Sequence, residues 1–240
     1  MTPSTPPRVR VVGRGRAGGS FAAALSAIGW HIDHVAGQSE TISAEGVDLV
    51  LLCVPDSVVS HVSARVVGSA AAVVAHTAGS LGIDVLGDHP RRAVLHPLAS
   101  LPDAQVGAAR LRSGITFAIS GDPVARGVAE ALGGTPIEVG DAQRVAYHAA
   151  ATIASNHLVA LMDQVDRVAG EVGRGGEMYL PLVHQTLDNI ERLGAPAALT
   201  GPAARGDVGT LDRHRALLSG ADVVAYDAMA ELCRALAARR

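Results

Sequence analysis

Residues Gly13-Arg14-Gly15-Arg16-Ala17-Gly18 space three glycines as G-x-G-x-x-G. The motif stands between a short β-type run, residues 8–12, and a stretch of helical period. There Phe21, Ala24, Leu25 and Ile28 recur at intervals of three and four until Gly29 closes the pattern. A strand that turns into a helix through three glycines has a specific physical use. The first glycine permits the tight turn, the second lets a pyrophosphate approach the backbone, and the third lets the helix pack on the strand. The helix N-terminus then faces the phosphates. Gly13, Arg14, Gly15, Arg16, Ala17 and Gly18 are accordingly expected to cradle a dinucleotide. Without a ligand they would be only a glycine-rich turn. Arg14 is bulky where small residues are usual, but its charge suits a phosphate.

The rest of the first half alternates strand and helix. Residues 31–36 read as a second strand. Residues 48–54 (DLVLLCV) are a continuous apolar run, the signature of a parallel strand buried on both faces. A helix is expected from Pro55-Asp56-Ser57 to about Val67, and further strands at residues 71–75, 92–96, 115–119 and 135–139. Asp122-Pro123 should cap a helix reaching Leu132. From Asp141 onward only helical periods remain: residues 142–169 without Pro or Gly, then 178–193, 207–219 and 221 to the end. Strand–helix alternation followed by helices alone predicts two domains. These are a mainly parallel, doubly wound α/β domain of six or more strands (8–140) and an all-helical domain (141–240), preceded by a disordered Pro/Thr/Ser tail (1–7).

Composition limits the alternatives. Apolar residues make up 48% and aromatics 2%, so small aliphatic side chains fill the core. A net charge of −3 gives no nucleic-acid footprint. The two cysteines, Cys53 and Cys233, lie far apart in apolar runs and read as reduced, buried thiols. The ten histidines show no metal-ligand spacing, so no metal is expected. No apolar run approaches a membrane span and no leader is evident, which predicts a cytoplasmic protein.

Two local features bear on the cofactor. About ten residues separate the second strand from DLVLLCV, near the lower limit for a crossover helix. That helix, which walls the adenosine side, is expected to be shortened or absent. The tip of the second strand carries Gln38 and Ser39, with Glu40 beyond. NAD sites place an acid at that tip. Gln38 and Ser39 suit a 2′-phosphate instead, which favours NADP over NAD, unless they are ordinary turn residues.

Five segments carry a resemblance: Val54-Pro55-Asp56, residues 76–82 (HTAGSLG), Leu95-His96-Pro97-Leu98, residues 147–156 (YHAAATIASN) and residues 198–207 (ALTGPAARGD). With them the chain resembles the Rossmann-like and DUF2520 domain-containing proteins. These are relatives of the 6-phosphogluconate dehydrogenase-like reductases, among them pyrroline-5-carboxylate reductase and ketopantoate reductase. The resemblance implies a homodimer formed through the helical domain, with the substrate between the domains. It implies a nicotinamide-dependent oxidoreductase; with Gln38 and Ser39 favouring NADP, the expected reaction is the reduction of a small, carboxylated carbonyl or imine.

Hydride transfer needs a nicotinamide at the carboxyl ends of the strands and a group that supplies the proton. Val54, Pro55 and Thr77 fall at such ends and are expected at the cofactor, and His96 at the substrate. His148, Thr152 and Asn156, spaced i, i+4 and i+8, form a polar stripe on an alanine-rich helix face, with Ser155 beside it. Dehydrogenases of the group often carry Lys followed by Asn on this helix. Aligning that Asn with Asn156 puts Thr152 at the Lys position. His148 is then the candidate acid or anchor, because an imidazole changes charge near neutral pH, unless it only braces an interface. Gly201 or Thr200 should cap a helix with Pro202 in its first turn. Thr200 and Arg205 are candidates for a substrate carboxylate, and Arg205 equally for an ion pair with Asp207.

Two other readings compete. Residues 78–82 (AGSLG) mimic a nucleophile elbow, but no Ser…Asp…His order accompanies them. The second is a non-redox Rossmann relative with a decayed nucleotide site, acting on a metabolite through His148. The short crossover, Arg14 and the missing Lys favour it.

Overall fold

The computed structural model describes residues 6–37 and 41–239. The chain divides into two compact units, one ending at Ser155 and one beginning at Asn156.

In the first unit, β1 (Arg8–Val12) leads into helix α1 (Arg16–Ala27) and returns as β2 (His31–Val35). A two-residue strand β3 (Ile42–Ser43) precedes β4 (Leu49–Leu52). A 3₁₀ turn (Asp56–Val58) and the short helix α2 (Val59–Ser63) then lead to β5 (Val66–Val67). Next come β6 (Val73–His76), β7 (Arg92–Pro97), α3 (Ala104–Leu111), β8 (Thr116–Gly121), α4 (Val124–Ala131), β9 (Thr135–Glu138) and α5 (Asp141–Thr152). Seven strands form one sheet in the order β2-β1-β4-β6-β7-β8-β9, all parallel neighbours except β7 and β8. The strand order reverses direction at β1, so β1 and β4 flank the switch point where ligands bind in open α/β sheets.

DLVLLCV behaves as a central parallel strand should. Leu49 and Leu51 pack with Phe21, Leu25, Leu111 and Phe117 on one face. Val50 and Leu52 pack with Val59, Val62 and Leu86 on the other. Burying each such side chain stabilises the fold by about 1.5–3 kcal/mol.

Three local departures have physical causes. The helix expected through Val67 stops at Ser63, because Val66–Val67 is drawn into parallel pairing with Ile42–Ser43. Ile42 N–H donates to Arg65 O (2.9 Å) and Ala44 N–H to Val67 O (2.7 Å). Among the described residues this two-stranded patch stands where a crossover helix would lie. Helix α3 has no counterpart in the sequence reading. Its signal is Asp103, whose Oδ1 accepts from Gln105 N–H (2.9 Å) and Val106 N–H (2.8 Å) as an N-cap. Finally, the stretch read as one helix over 142–169 contains a π-helical turn, Ile153–His157, between α5 and α6 (Leu158–Ala169).

The strands end at Glu138, where the sequence changes period. The compact first unit nevertheless continues to Ser155, because α5 packs on the sheet: its Arg144 is fully buried and donates to Ser120 on β8 (3.1 Å).

The second unit holds α6, α7 (Leu180–Leu193), α8 (Ala195–Ala198), α9 (Pro202–Arg205), α10 (Val208–Leu217) and α11 (Gly220–Ala237). Gly201 caps α9 and Pro202 occupies its first turn. Asp207 caps α10, its Oδ1 accepting from Thr210 N–H (3.0 Å). Gln164 and Arg167 of α6 bind Asp222 of α11, at 2.8 and 2.6 Å. Large apolar side chains remain open on this unit, Val159 at 69%, Leu182 at 59% and Leu232 at 61% exposure. Among the described residues no helix is long and apolar enough to cross a membrane.

Candidate functional site

The three glycines of the motif have different reasons to be glycine. Gly13 has φ +109°, and a Cβ there would lie 2.3 Å from Cys53 O. A Cβ on Gly18 would lie 1.8 Å from Gly13 O. Both are demanded by the fold itself. Gly15 is not: its backbone is ordinary extended chain (φ −75°) and a Cβ would meet nothing within 4 Å. It caps α1 without a side chain and lines a cavity of about 720 Å³. Its missing side chain leaves the helix N-terminus open to an approaching group.

That cavity opens at the switch point. Gly13, Arg14 and Gly15 form one side, Val54 and Pro55 another, and His61 and Arg65 come from α2 and its end. His34 Nε2 lies 2.8 Å from Gly13 O and so braces the turn; Arg14 Nη2 donates to His34 O (3.3 Å). Arg16 is exposed at the start of α1, and Ala17 packs against the core. Gln38 and Ser39 lie outside the described residues.

A second group of polar residues gathers further along the same edge. Beyond Pro55, Asp56 Oδ2 accepts from Ser80 Oγ–H (2.9 Å). Ser80 adjoins Gly79, where a Cβ would lie 2.5 Å from His148 Cδ2 and 2.8 Å from His96 Nε2. The absent side chain is what admits both imidazoles. His96 and His148 meet edge to face, with centroids 5.8 Å apart, and His96 Nδ1 lies 2.8 Å from the Tyr147 hydroxyl.

Burial and neighbouring positive charge disfavour the charged form of His96. Burial pushes the His96 pKa down to about 4, and the nearby charges of His148 and Arg144 add to the effect. Burial also raises the Tyr147 phenol. Arg144 lies beneath with its side chain 0% exposed, ion-paired to Asp141 at 3.8 Å. Its Nε and Nη1 have no hydrogen-bond partner among the described residues. His76 is buried as well. Its Nδ1 accepts from Ala78 N–H (3.2 Å), so its Nε2–H donates to Gly82 O (3.0 Å). Both nitrogens are used, and His76 shapes the 77–82 turn.

The structure thus brings together His96 and His148 from the sequence reading, and Gly13, Arg14, Gly15, Val54 and Pro55 at the cavity. Thr77 turns back onto Leu52 O, through its N–H (3.2 Å) and its hydroxyl (3.5 Å). Thr152 ends α5, and the π-helical turn that follows holds Ser155 and Asn156. The α-helical register of the stripe therefore does not run on to Asn156. Asn156, Thr200 and Arg205 belong to the helical unit. The sequence reading missed Tyr147, Gly79, Arg144, His61 and Arg65. Tyr147 and Gly79 both lie within the segments that carry the resemblance, and Tyr147 adjoins His148.

The profile of a domain of unknown function, DUF2520, matches residues 114–233, half of the chain. No curated protein matches its sequence. Several solved structures share its fold. A candidate NADP oxidoreductase from Bacteroides fragilis superposes with a TM-score of 0.81 at 20% identity, over 95% of this chain and 98% of its own. A protein from Thermotoga maritima gives 0.72 at 25% identity, over 97% and 100%. A reductive aminase from Aspergillus terreus, in complex with NADPH and ethyl-5-oxohexanoate, gives 0.73 at 13%, over 95% and 93%.

Proposed function

The chain belongs to the DUF2520 family, and from that premise we propose that it is an NADP-dependent oxidoreductase that reduces a small, carboxylated carbonyl or imine compound. The observation that carries the reading is Gly15, a glycine that the fold does not need, open over a large cavity at the N-terminus of α1. Its lack of a side chain fits a pyrophosphate there. The shared fold with a candidate NADP oxidoreductase and an NADPH-bound reductive aminase supports the same cofactor.

Gly13, Arg14, Gly15, Val54 and Pro55 would hold the dinucleotide. Bound there, the nicotinamide would supply a hydride. The protein's own part is the proton and the orientation. His148, half-buried beside Gly79, is the proton donor to the oxygen or nitrogen that gains charge. His96 stays neutral at working pH. With the Tyr147 hydroxyl donating to Nδ1, its remaining proton sits on Nε2, ready to bind the substrate. Arg205 and Thr200 are the proposed carboxylate anchors. The open apolar side chains of the helical unit support a homodimer built through it, and we place the enzyme in the cytoplasm.

Calorimetric titration with NADPH and NADH, using Gly15→Asp as control, tests the reading. Micromolar NADPH binding that the variant loses is expected. Asp is a favourable N-cap, so the variant should keep its melting temperature. No binding of either nucleotide to the parent protein at millimolar concentration would overturn the reading.

A further inference from the structure

The shortened crossover and the basic side of the cavity are one device. In a full crossover a helix closes the adenosine side. Here β3 and β5 pair instead, and the backbone of Arg65 is part of that pairing, its carbonyl accepting from Ile42 N–H (2.9 Å). This holds Arg65 at the mouth of the cavity. Its Nη2 donates to Gly37 O (2.6 Å), so the guanidinium reaches the tip of β2. In dinucleotide-binding folds that tip reads the ribose 2′ position.

Basic side chains gather on this side of the cavity. Arg14, His61 and Arg65 line the cavity, and no Asp or Glu lines it among the described residues. An NAD site needs an acceptor for the 2′-hydroxyl, whereas a 2′-phosphate needs cationic donors, which guanidinium groups supply best. Gly37 keeps the approach clear, since a Cβ there would already press on Val54 Cγ1 at 3.0 Å.

We infer that Arg65, with Arg14 and His61, forms the 2′-phosphate subsite and sets cofactor choice from the β4–β5 segment. The inference rests on the proposed dinucleotide site and names the residues that discriminate within it.

The test compares adenosine 2′,5′-bisphosphate with 5′-AMP by calorimetry on the full chain. The parent protein should favour the bisphosphate by at least about tenfold, as expected for charge-assisted hydrogen bonds. Arg65→Ala should bring the ratio close to one, and Arg65→Lys should restore part of it. Should Arg65→Ala melt early because Gly37 loses its donor, Arg14→Ala, at an exposed position, must still lower the ratio severalfold. A folded Arg65→Ala protein with the parent ratio, or parent protein that binds both nucleotides equally, overturns the inference and leaves the dinucleotide site standing. Parent protein that binds neither these nucleotides nor NADPH overturns both.

Discussion

The Tyr147 hydroxyl lies 2.8 Å from His96 Nδ1, so the helix that follows the sheet fixes a ring at the end of β7. The two residues are 51 positions apart, and the bond determines which His96 nitrogen is left for a substrate.

Tyr147→Phe removes that bond and little else. The cluster stays packed, so stability should fall by about 1 kcal/mol. Turnover should fall about tenfold or more, with KM rising less, because His96 loses its fixed tautomer. Steady-state kinetics alongside thermal unfolding would read both. Unchanged kcat would make Tyr147 a packing residue only.

Gly79→Ala pushes a methyl group between two imidazoles. His148 is half-buried and can swing away, so the expected cost is about 1–3 kcal/mol in stability. Activity should fall further than stability suggests, by about a hundredfold, since the proton donor is displaced. If Gly79→Ala and Gly79→Ser keep parent activity, the close approach of His96 and His148 has no catalytic use.

The motif glycines should separate in a melting experiment without any ligand. Gly18→Ala drives a methyl group onto a backbone carbonyl and should cost about 3 kcal/mol or more. Gly15→Ala meets open space and should lie within about 0.5 kcal/mol of the parent. Equal losses at both sites would remove the argument that Gly15 is kept for a ligand.

Acid should loosen the first unit through its buried imidazoles. His96 has a pKa of about 4 in the fold against 6.5 for the ordinary side chain, and burial lowers His76 too. Above pH 6.5 these rings are neutral in both folded and unfolded chains, and their full contribution is present. Between pH 6.5 and about 4 the unfolded chain takes up protons that the native rings refuse. Unfolding free energy should therefore decline through that window, by on the order of 3 kcal/mol for His96 alone. Urea titrations across the window would show the slope, and His96→Gln should flatten it. A slope undiminished in His96→Gln would assign it to other groups.

Much of this fold is visible in local sequence. Residues 8–18 specify a strand, a glycine turn and a helix within a few positions, and DLVLLCV reveals burial on both faces by hydrophobicity alone. Less was legible where distant segments compete. Val66–Val67 follows a helical pattern, yet Ile42–Ser43 takes its hydrogen bonds and the helix ends early. The π-helical turn carries no proline or glycine to announce it. His148 is a plausible site residue from helix spacing. Its neighbours His96 and Gly79 reach it only through sheet order, which no local period encodes.

Strand β8 runs against β7, and this one reversal works as a ruler. Because β9 follows β8, α5 starts near the amino end of β7, where Asp141 accepts from Ile83 N–H (3.3 Å). The helix then climbs the sheet. Arg144 meets Ser120, which pairs with Val94, and Tyr147 meets His96 two residues higher. From Asp141 to His148 the helix rises about 10 Å, close to the about 13 Å from Arg92 to His96 on the strand. The spacing is counted in residues, so one inserted anywhere between Asp141 and Tyr147 would turn His148 by about 100° and carry it off the edge. Length in this helix is therefore under tighter constraint than composition.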